Sequence, residues 1–430
     1  MALWLLCCGL PWVFVGGCDE EESPPKVEEV VLFPLSFNAE TRGIAVFPGD
    51  EGIVALTEWS KLAAGAQWLV IRAQLVDELL ISREGEAGLA SARFAARVAH
   101  LRQNVTAVQT FSKLVLVLDL LRVSDGSRPQ APTPYLTTWD KNERDPDRYG
   151  FWRSDYRAAV LEQVRLAVRA EKPAVFVFGA EMERYLTMPG GLEDYTNFVT
   201  LYREVYAVVK EVSPETQVGV GVNWVRLMLD VLPREMLLPH EVGDGVRFPA
   251  DVEMLSCAAL PAEDMAALQA VCVEKVMARY LLPLLRYPVG NGEEMRYERS
   301  ADVLALAVHA GGTDFGNVPS ACPADFFAPL IPWSEETPLL LYSVNWQTPT
   351  AVGFDKQAQW FTAVMERLVG AQVKLLTWAG TKDLVTSDCT KLTRDLGAPD
   401  GICYQGLLSA STAPKELYHL FFTDRHIDAP

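Results

Sequence analysis

Two carboxylates directly follow a short apolar segment near the middle of the chain. Ala174 to Phe178 is a run of mostly β-branched and aromatic residues, which predicts a strand buried on both faces. Gly179 ends this run, and Glu181 and Glu183 come next. The carboxyl end of a parallel strand is where α/β barrels hold their reacting groups. Glu181 is therefore a candidate general acid or base, and a carboxylate that only binds or pairs with Arg72 is the alternative.

Glu183 lies two residues after Glu181, so in an extended strand both side chains would point to the same side. Two neighbouring carboxylates raise the pKa of one of them, which would then keep a proton for donation. An ordinary surface acid next to Arg184 is the alternative interpretation of Glu183.

Composition limits the classes of function that this chain can have. Its 430 residues are half hydrophobic, which is enough for a sizeable core in one large domain. The formal charge of -18, from 56 acidic and 38 basic residues, disfavours nucleic acid and anionic membrane surfaces as partners. No cysteine or histidine cluster has the spacing of metal ligands, so we predict neither a metal nor a cofactor.

The N-terminus predicts export. Residues 2–15 are apolar, uncharged and too short to span a bilayer comfortably, as in the core of a signal peptide. Gly16-Gly17-Cys18 and the acidic, proline-containing stretch behind it resemble a bacterial lipoprotein signal. That resemblance implies cleavage before Cys18, a lipid on its sulfur and a place in the cell envelope, with the lipid as the only membrane contact. No Lys or Arg precedes the apolar run, so an ordinary secretory signal or an uncleaved anchor is the alternative. We divide the chain into a signal peptide at 1–17, an acidic tether at 18–28 and a folded domain at 29–430.

Three of the 8 cysteines lie in or next to this signal, and an odd number remains for the folded domain. At least one thiol is therefore free if all disulfides are internal. We expect the pair Cys389 and Cys403, which lie close together in a loop-rich stretch, to form a disulfide. The remaining cysteines are Cys257, Cys272 and Cys322.

Short apolar runs alternate with helical patterns along the rest of the chain. Such an alternation predicts a parallel sheet, and eight repeats favour closure into a (β/α)8 barrel over an open doubly wound sheet. No glycine-rich phosphate motif follows the first run, which also disfavours the open sheet. The predicted strands are 30–37, 67–73, 113–121, 174–178, 217–224, 301–309, 337–346 and 371–378.

The sixth strand has two candidates, 251–258 and 301–309. We prefer 301–309 because it lies one short connection before the next strand. Residues 226–300 are then an elaborated connection between strands five and six, with a helix of its own at 265–286.

Several short sequence segments resemble those of the largest clan of retaining glycoside hydrolases, clan A, which includes cellulases, β-galactosidases and endo-galactanases. Gly179-Ala180-Glu181 is similar to the Gly-Asn-Glu at the tip of strand four in that clan. The segment from Leu339 to Trp346 resembles its strand seven, and Gly406-Leu407 with 414–418 resembles its closing phrase. The resemblance covers about 33–422 and implies a single barrel that acts on carbohydrate. Its chemistry requires two carboxyl groups about 5–5.5 Å apart.

The positions that carry the chemistry of the clan are only partly retained. Glu181 matches the general acid/base, and Arg72 matches an arginine that holds the nucleophile. Ser343 stands at the nucleophile position, Ala180 replaces the asparagine that binds the sugar 2-hydroxyl, and His309 replaces an aromatic residue on strand six. Because a hydroxyl cannot stabilise an oxocarbenium ion as a carboxylate does, the resemblance implies a barrel without the standard retaining machinery.

Residues at the predicted strand ends form the candidate substrate-binding set. The tryptophans among them could stack on sugar rings or simply pack the barrel, and His309 could instead be a hydrogen-bonded core histidine. Ser343 could act as a nucleophile with His309 only if the fold brings the two into contact, and no Gly-x-Ser-x-Gly motif surrounds it. The set is Arg72, Glu183, Trp224, His309, Ser343, Asn345, Trp346 and Trp378.

Three hypotheses follow from the sequence. The first is a glycoside hydrolase-like lipoprotein that binds carbohydrate without the strand-seven nucleophile. The second is an active O-glycosyl hydrolase that uses Glu181 with a relocated nucleophile, for which Asp119, Asp383 and Glu183 are candidates. The third is a non-catalytic envelope protein that keeps the barrel as a scaffold.

Overall fold

The computed structural model describes most of the segment Leu32–Pro430, which forms one compact unit. The described residues are 32–46, 65–74, 99, 111–122, 133–134, 151–152, 154–186, 191–232, 273–289, 296–311, 314–347, 354–382, 406–408 and 414–429. Several predictions lie outside these residues: the signal with Cys18, the tether, the alternative sixth strand at 251–258, and the disulfide between Cys389 and Cys403. The free thiol of Cys322 is described and buried.

Eight parallel strands close into a barrel, as predicted. Each strand pairs with its neighbours in chain order, and the last pairs with the first. The strands are β1 Arg42–Val46, β2 Trp68–Gln74, β3 Lys113–Asp119, β4 Val175–Phe178, β5 Gln217–Asn223, β6 Val303–Gly311, β7 Leu339–Gln347 and β8 Val373–Trp378.

The described helices lie along the chain between and after these strands. The longer ones are α1 Ser154–Glu171, α2 Gly191–Val212 and α3 Phe354–Arg367, followed near the C-terminus by α4 Glu416–Phe421. Short helical segments are Glu183–Leu186, Trp224–Arg226, Leu227–Val231, Met277–Leu281, Leu282–Leu285, Asp314–Asn317, Pro319–Ala321, Ala328–Leu330 and Ile331–Glu336. Within the described ranges, no helix has the length and apolar character needed to cross a membrane.

Two-stranded sheets lie outside the barrel. Arg286–Val289 pairs with Arg296–Arg299 in the connection from β5 to β6. The other pairs are Leu121–Arg122 with Thr133–Pro134, Gly380–Lys382 with Gly406–Leu408, and Leu35–Phe37 with Arg425–Ile427.

The core has two layers, because successive strand residues point to opposite sides of the barrel wall. Val115, Val117, Ala305 and Ala307 belong to a small cluster made of strand residues and Ala180, which fills the barrel interior. The intervening residues of the same strands belong to a much larger cluster that includes the apolar faces of the helices. A side chain can therefore be assigned to the interior or the outer layer by its position along the strand.

The prediction of the first strand is wrong. Leu35–Phe37 lies at the end of the predicted run, but it pairs antiparallel with Arg425–Ile427 outside the barrel. The backbone then turns, because the Asn38 carbonyl accepts hydrogen bonds from the amides of Thr41 and Arg42, at 3.2 and 2.9 Å. The barrel strand starts only after this turn, at Arg42. The choice of 301–309 for strand six is confirmed, since β6 is Val303–Gly311.

Arg42, the first residue of β1, ties the start of the barrel to the C-terminal segment. Its guanidinium is buried, donates to the Gly65 carbonyl at 2.8 Å and to Asp424 at 3.0 Å, and lies 4.7 Å from the centre of the Phe37 ring. Burial lowers the pKa of Arg42, and the hydrogen bond and charge of Asp424 oppose that shift. The cation is held by aromatic faces as well as by an acid.

Candidate active site at the barrel mouth

The site is built around an unusual turn at the end of β4. Gly179 and Glu181 both have positive φ angles, 77° and 54°. Gly221 of β5 holds this turn: its amide donates to the Gly179 carbonyl at 2.8 Å, and its carbonyl accepts from the Met182 amide at 2.9 Å. A left-handed backbone at a glutamate is strained, and strain of this kind clusters at functional sites.

The carboxylate of Glu181 is buried between two basic side chains from other strands. Its Oε1 lies 2.8 Å from Nδ1 of His309 on β6 and 3.7 Å from Nη1 of Arg72 on β2. The carboxyl ends of β2, β4 and β6 thus bring Arg72, Glu181 and His309 together. The pairing of Glu181 with Arg72, which the sequence left as an alternative to the acid/base role, is present in the structure.

His309 also contacts Ser343, the residue at the nucleophile position. Its Nε2 lies 2.6 Å from the Ser343 hydroxyl oxygen. An ionised Glu181 accepts the Nδ1–H hydrogen bond, so in the neutral imidazole Nε2 is the acceptor for the serine O–H. Ser343, His309 and Glu181 therefore form a continuous chain of hydroxyl, imidazole and carboxylate, with Arg72 beside the carboxylate.

A bulge in β7 turns Ser343 towards this chain. The pairing with β6 shifts by one residue, since Leu306 pairs with Leu341 and Ala307 pairs with Ser343, leaving Tyr342 as the extra residue. The pairing with β8 is irregular at the same place. Bulges re-aim side chains and are frequent next to active sites. Tyr342 belongs to the interior cluster, so two consecutive side chains of β7 face the barrel interior.

Asn345 adjoins this chain on β7. It pairs in register with His309 and is buried. Its Oδ1 has no hydrogen-bond partner among the described residues. A buried amide oxygen without a partner is costly, and a ligand that donates to it would remove that cost.

Glu183 does not stand beside Glu181 on an extended strand. The strand ends at Phe178, and Glu183 begins a short helix instead. Glu183 is buried, and its Oε2 accepts from the Asn223 amide at 2.7 Å, so it is not a surface acid either. The pKa of Tyr195 lies well above its usual value, mainly because the phenol is buried and further because of the nearby Tyr280 and Glu183.

The other two candidates for a relocated nucleophile are Asp119 and Asp383. Asp119 ends β3, and Asp383 lies outside the described residues.

The three predicted tryptophans lie in the outer layer, packed against helices and loops rather than facing the barrel interior. The Trp224 indole donates to the Phe326 carbonyl at 3.0 Å, the Trp346 ring packs on Trp360, and the Trp378 ring packs on Phe361. All three are almost completely buried, so no ring face is open for stacking on a sugar. The structure shows the packing role that the sequence left as the alternative.

Metal ligation has no support in the described part of the chain. No group of three or more His, Cys, Asp or Glu side chains there is arranged to hold a metal ion. The charged groups at the mouth are instead paired with each other.

Comparisons with known proteins find similarity in structure only. No family model matches the chain, and neither does any curated protein. The exo-β-1,4-mannosidase Op5Man5 from Opitutaceae bacterium strain TAV5 matches with a TM-score of 0.52 and 10% sequence identity, over 89% of this chain and 58% of the mannosidase. The chain thus spans little more than half the length of that enzyme.

The GH5_18 protein of Streptomyces cattleya in complex with GlcNAc matches with a TM-score of 0.55 and 13% identity, over 91% of this chain and 83% of that protein. A variant of it in complex with Manβ1-4GlcNAc matches with a TM-score of 0.52 and 13% identity, over 87% and 77%. At these identities the likeness shows the fold alone. The chain therefore has a closed eight-strand parallel barrel like those of these proteins, which is the fold that the sequence resemblance implied.

Proposed function

We propose that this protein binds carbohydrate at the carboxyl-terminal mouth of its barrel and does not cleave glycosidic bonds by the retaining mechanism. The observation that carries this proposal is the hydrogen bond between Ser343 and His309 at the nucleophile position. The fold likeness to a mannosidase, and to a protein bound to GlcNAc, supports carbohydrate as the ligand class.

Retaining hydrolysis needs one protonated and one ionised carboxyl group, about 5–5.5 Å apart. The hydroxyl of Ser343 cannot replace the ionised group. Glu181 is retained, and its Oε1 contacts the imidazole of His309 and the guanidinium of Arg72. The carboxyl pair that retaining hydrolysis needs is therefore incomplete at the strand-seven position.

The same residues are suited to binding sugar hydroxyl groups. The side chains of Arg72 and His309 keep 17% and 15% of their surface exposed, so the site is not fully closed to solvent. Asn345 adds a buried amide with spare hydrogen-bonding capacity. Convergent polar groups in a concave site are typical of ligand binding.

Glycan arrays and calorimetry with mannose- and GlcNAc-containing oligosaccharides, run beside aryl-glycoside assays, test the proposal. We expect binding without sugar release, and weaker binding by Arg72→Gln. Release of sugar that Glu181→Gln abolishes would establish the active hydrolase instead. Absence of both binding and turnover, with a protein partner recovered by pulldown, would favour the scaffold hypothesis.

We also propose that Cys18 carries a lipid that anchors the protein to a membrane of the cell envelope. The support is the Gly16-Gly17-Cys18 sequence with an acidic tether behind it. Cys18→Ser should move the protein from the membrane fraction to the soluble fraction. Membrane association that survives this change would contradict lipidation.

A further inference from the structure

We propose that Ser343, His309 and Glu181 form a nucleophilic triad that hydrolyses esters, with acylated carbohydrate as the substrate class. The hydroxyl lies 2.6 Å from one imidazole nitrogen, and the carboxylate lies 2.8 Å from the other. Nucleophile, base and orienting acid in hydrogen-bond contact are the signature of serine-based acyl transfer on unrelated folds. Only the sugar part of this inference rests on the proposed function.

Each step has a group to carry it. Ser343 Oγ attacks the acyl carbon while its proton passes to His309 Nε2, and the imidazolium is stabilised by Glu181. The tetrahedral intermediate expels the sugar alkoxide, which takes the proton from Nε2 and leaves as an alcohol. Water then attacks the acyl-serine and gives a proton to Nε2. Collapse of the second intermediate returns that proton to Ser343 and releases the carboxylic acid.

A donor for the oxyanion is also required, and Asn345 is the group that we assign. It lies on the same strand as Ser343, in register with His309, and its amide is buried with spare capacity. Rotation of the amide presents its N–H groups in place of the oxygen. A single such donor typically changes the rate by about 100–1000-fold.

A similar set of residues lies on the surface and differs from this triad in its burial. Ser36 lies 2.9 Å from Nδ1 of His426, whose Nε2 lies 3.1 Å from Asp428. The side chains of His426 and Asp428 are 58% and 90% exposed, so water and salt weaken their interaction. Ser343 and Glu181 are buried, where the same contacts orient and polarise the hydroxyl more strongly. The surface set is therefore a matched control.

Ester hydrolysis and serine labelling test the triad without any sugar. The full chain is assayed with p-nitrophenyl acetate and with a fluorophosphonate probe, followed by peptide mass mapping. We expect turnover and a label on Ser343, a loss of about 1000-fold or more in Ser343→Ala, and no change in Ser36→Ala. No turnover in the wild type, a label on another residue, or full activity in Ser343→Ala would overturn the inference.

Two further measurements keep the outcomes distinct. The first is Ser343→Cys, which retains a nucleophile of similar shape and serves as the control if Ser343→Ala folds poorly. The same ester should acylate its thiol. A folded Ser343→Cys that does not react would count against the triad.

The second compares acetylated with unacetylated oligosaccharides. Hydrolysis of the simple ester without binding of either sugar would retain the triad and reject the carbohydrate function. Sugar binding by a protein that is inert to esters would do the reverse.

Discussion

The backbone of Gly221 passes so close to Gly179 that a β-carbon on Gly221 would lie 2.3 Å from the Gly179 carbonyl oxygen. This approach lets β5 hold the turn that carries Glu181, through the two backbone hydrogen bonds on either side of Gly221. The position of the catalytic candidate therefore depends on the absence of a side chain on the neighbouring strand.

Gly221→Ala should displace the turn at the end of β4. The β-carbon meets backbone, which cannot move aside as a flexible side chain would, so we expect a loss of about 1–3 kcal/mol in the free energy of unfolding. Urea unfolding measures this loss. Gly219→Ala is the comparison, because its β-carbon would meet the Val303 carbonyl at 2.7 Å, deeper in the barrel. Both variants should be destabilised, but only Gly221→Ala should impair ligand binding or ester hydrolysis. Equal impairment in both would contradict the placement of the functional site at the turn that Gly221 holds.

A double-mutant cycle measures the coupling between Glu181 and Arg72. The single changes Glu181→Gln and Arg72→Gln each leave a charged partner in a mostly buried site, so each should destabilise the protein more than a surface ion pair would. The separation of 3.7 Å and the partial exposure of Arg72 lead us to expect a coupling of about 0.5–2 kcal/mol in urea unfolding. Additive effects would show that Arg72 does not help to hold the carboxylate.

Arg42 and Asp424 allow packing to be separated from charge. The Arg42 side chain is buried against Phe37, Phe421 and Phe422, whereas Asp424 is 71% exposed. Arg42→Ala should cost about 2–4 kcal/mol, because it removes a buried side chain and a hydrogen bond to Gly65. Asp424→Asn should cost less than about 1 kcal/mol. Thermal or urea unfolding gives both values, and equal losses would mean that the ion pair dominates.

Most of the barrel could be predicted because its strands are buried on both faces and appear as continuous apolar runs. The first strand could not, since Arg42–Val46 contains an arginine and a glycine in five residues. The stronger apolar run before it packs against helices instead: Phe37 contacts Phe361 and Phe421. Hydrophobicity indicates burial but does not say in which layer a segment is buried.

The residues of the candidate site could be selected from strand ends, but their contacts could not. The bulge at Tyr342 and Ser343 depends on how β7 pairs with its neighbours, which the local sequence does not record. The tryptophans show the same limit. Alternation predicts that Trp378 shares a face of β8 with Leu376, but only the structure shows that this face lies in the outer layer while Leu375 faces the interior.

The thiol of Cys322 makes the free energy of unfolding depend on pH, and the direction of this dependence follows from its pKa. Burial raises the pKa of its thiol to about 11, from an ordinary 9.0, while Arg367 lowers it and Asp325 raises it further. Below pH 9 the thiol is protonated in both the folded and the unfolded chain. Between pH 9 and 11 the unfolded chain loses this proton first, so it binds fewer protons than the folded chain and stability falls as pH rises.

Comparison of the wild type with Cys322→Ala tests this linkage. Urea unfolding between pH 8 and about pH 10.5 should show a steeper loss of stability in the wild type, whatever the constant offset between the two proteins. Iodoacetamide at pH 8 should leave Cys322 unmodified in the native protein and modify it after unfolding, as peptide mass mapping can establish. Parallel pH profiles, or rapid native alkylation of Cys322, would show that its thiol ionises as an exposed one does.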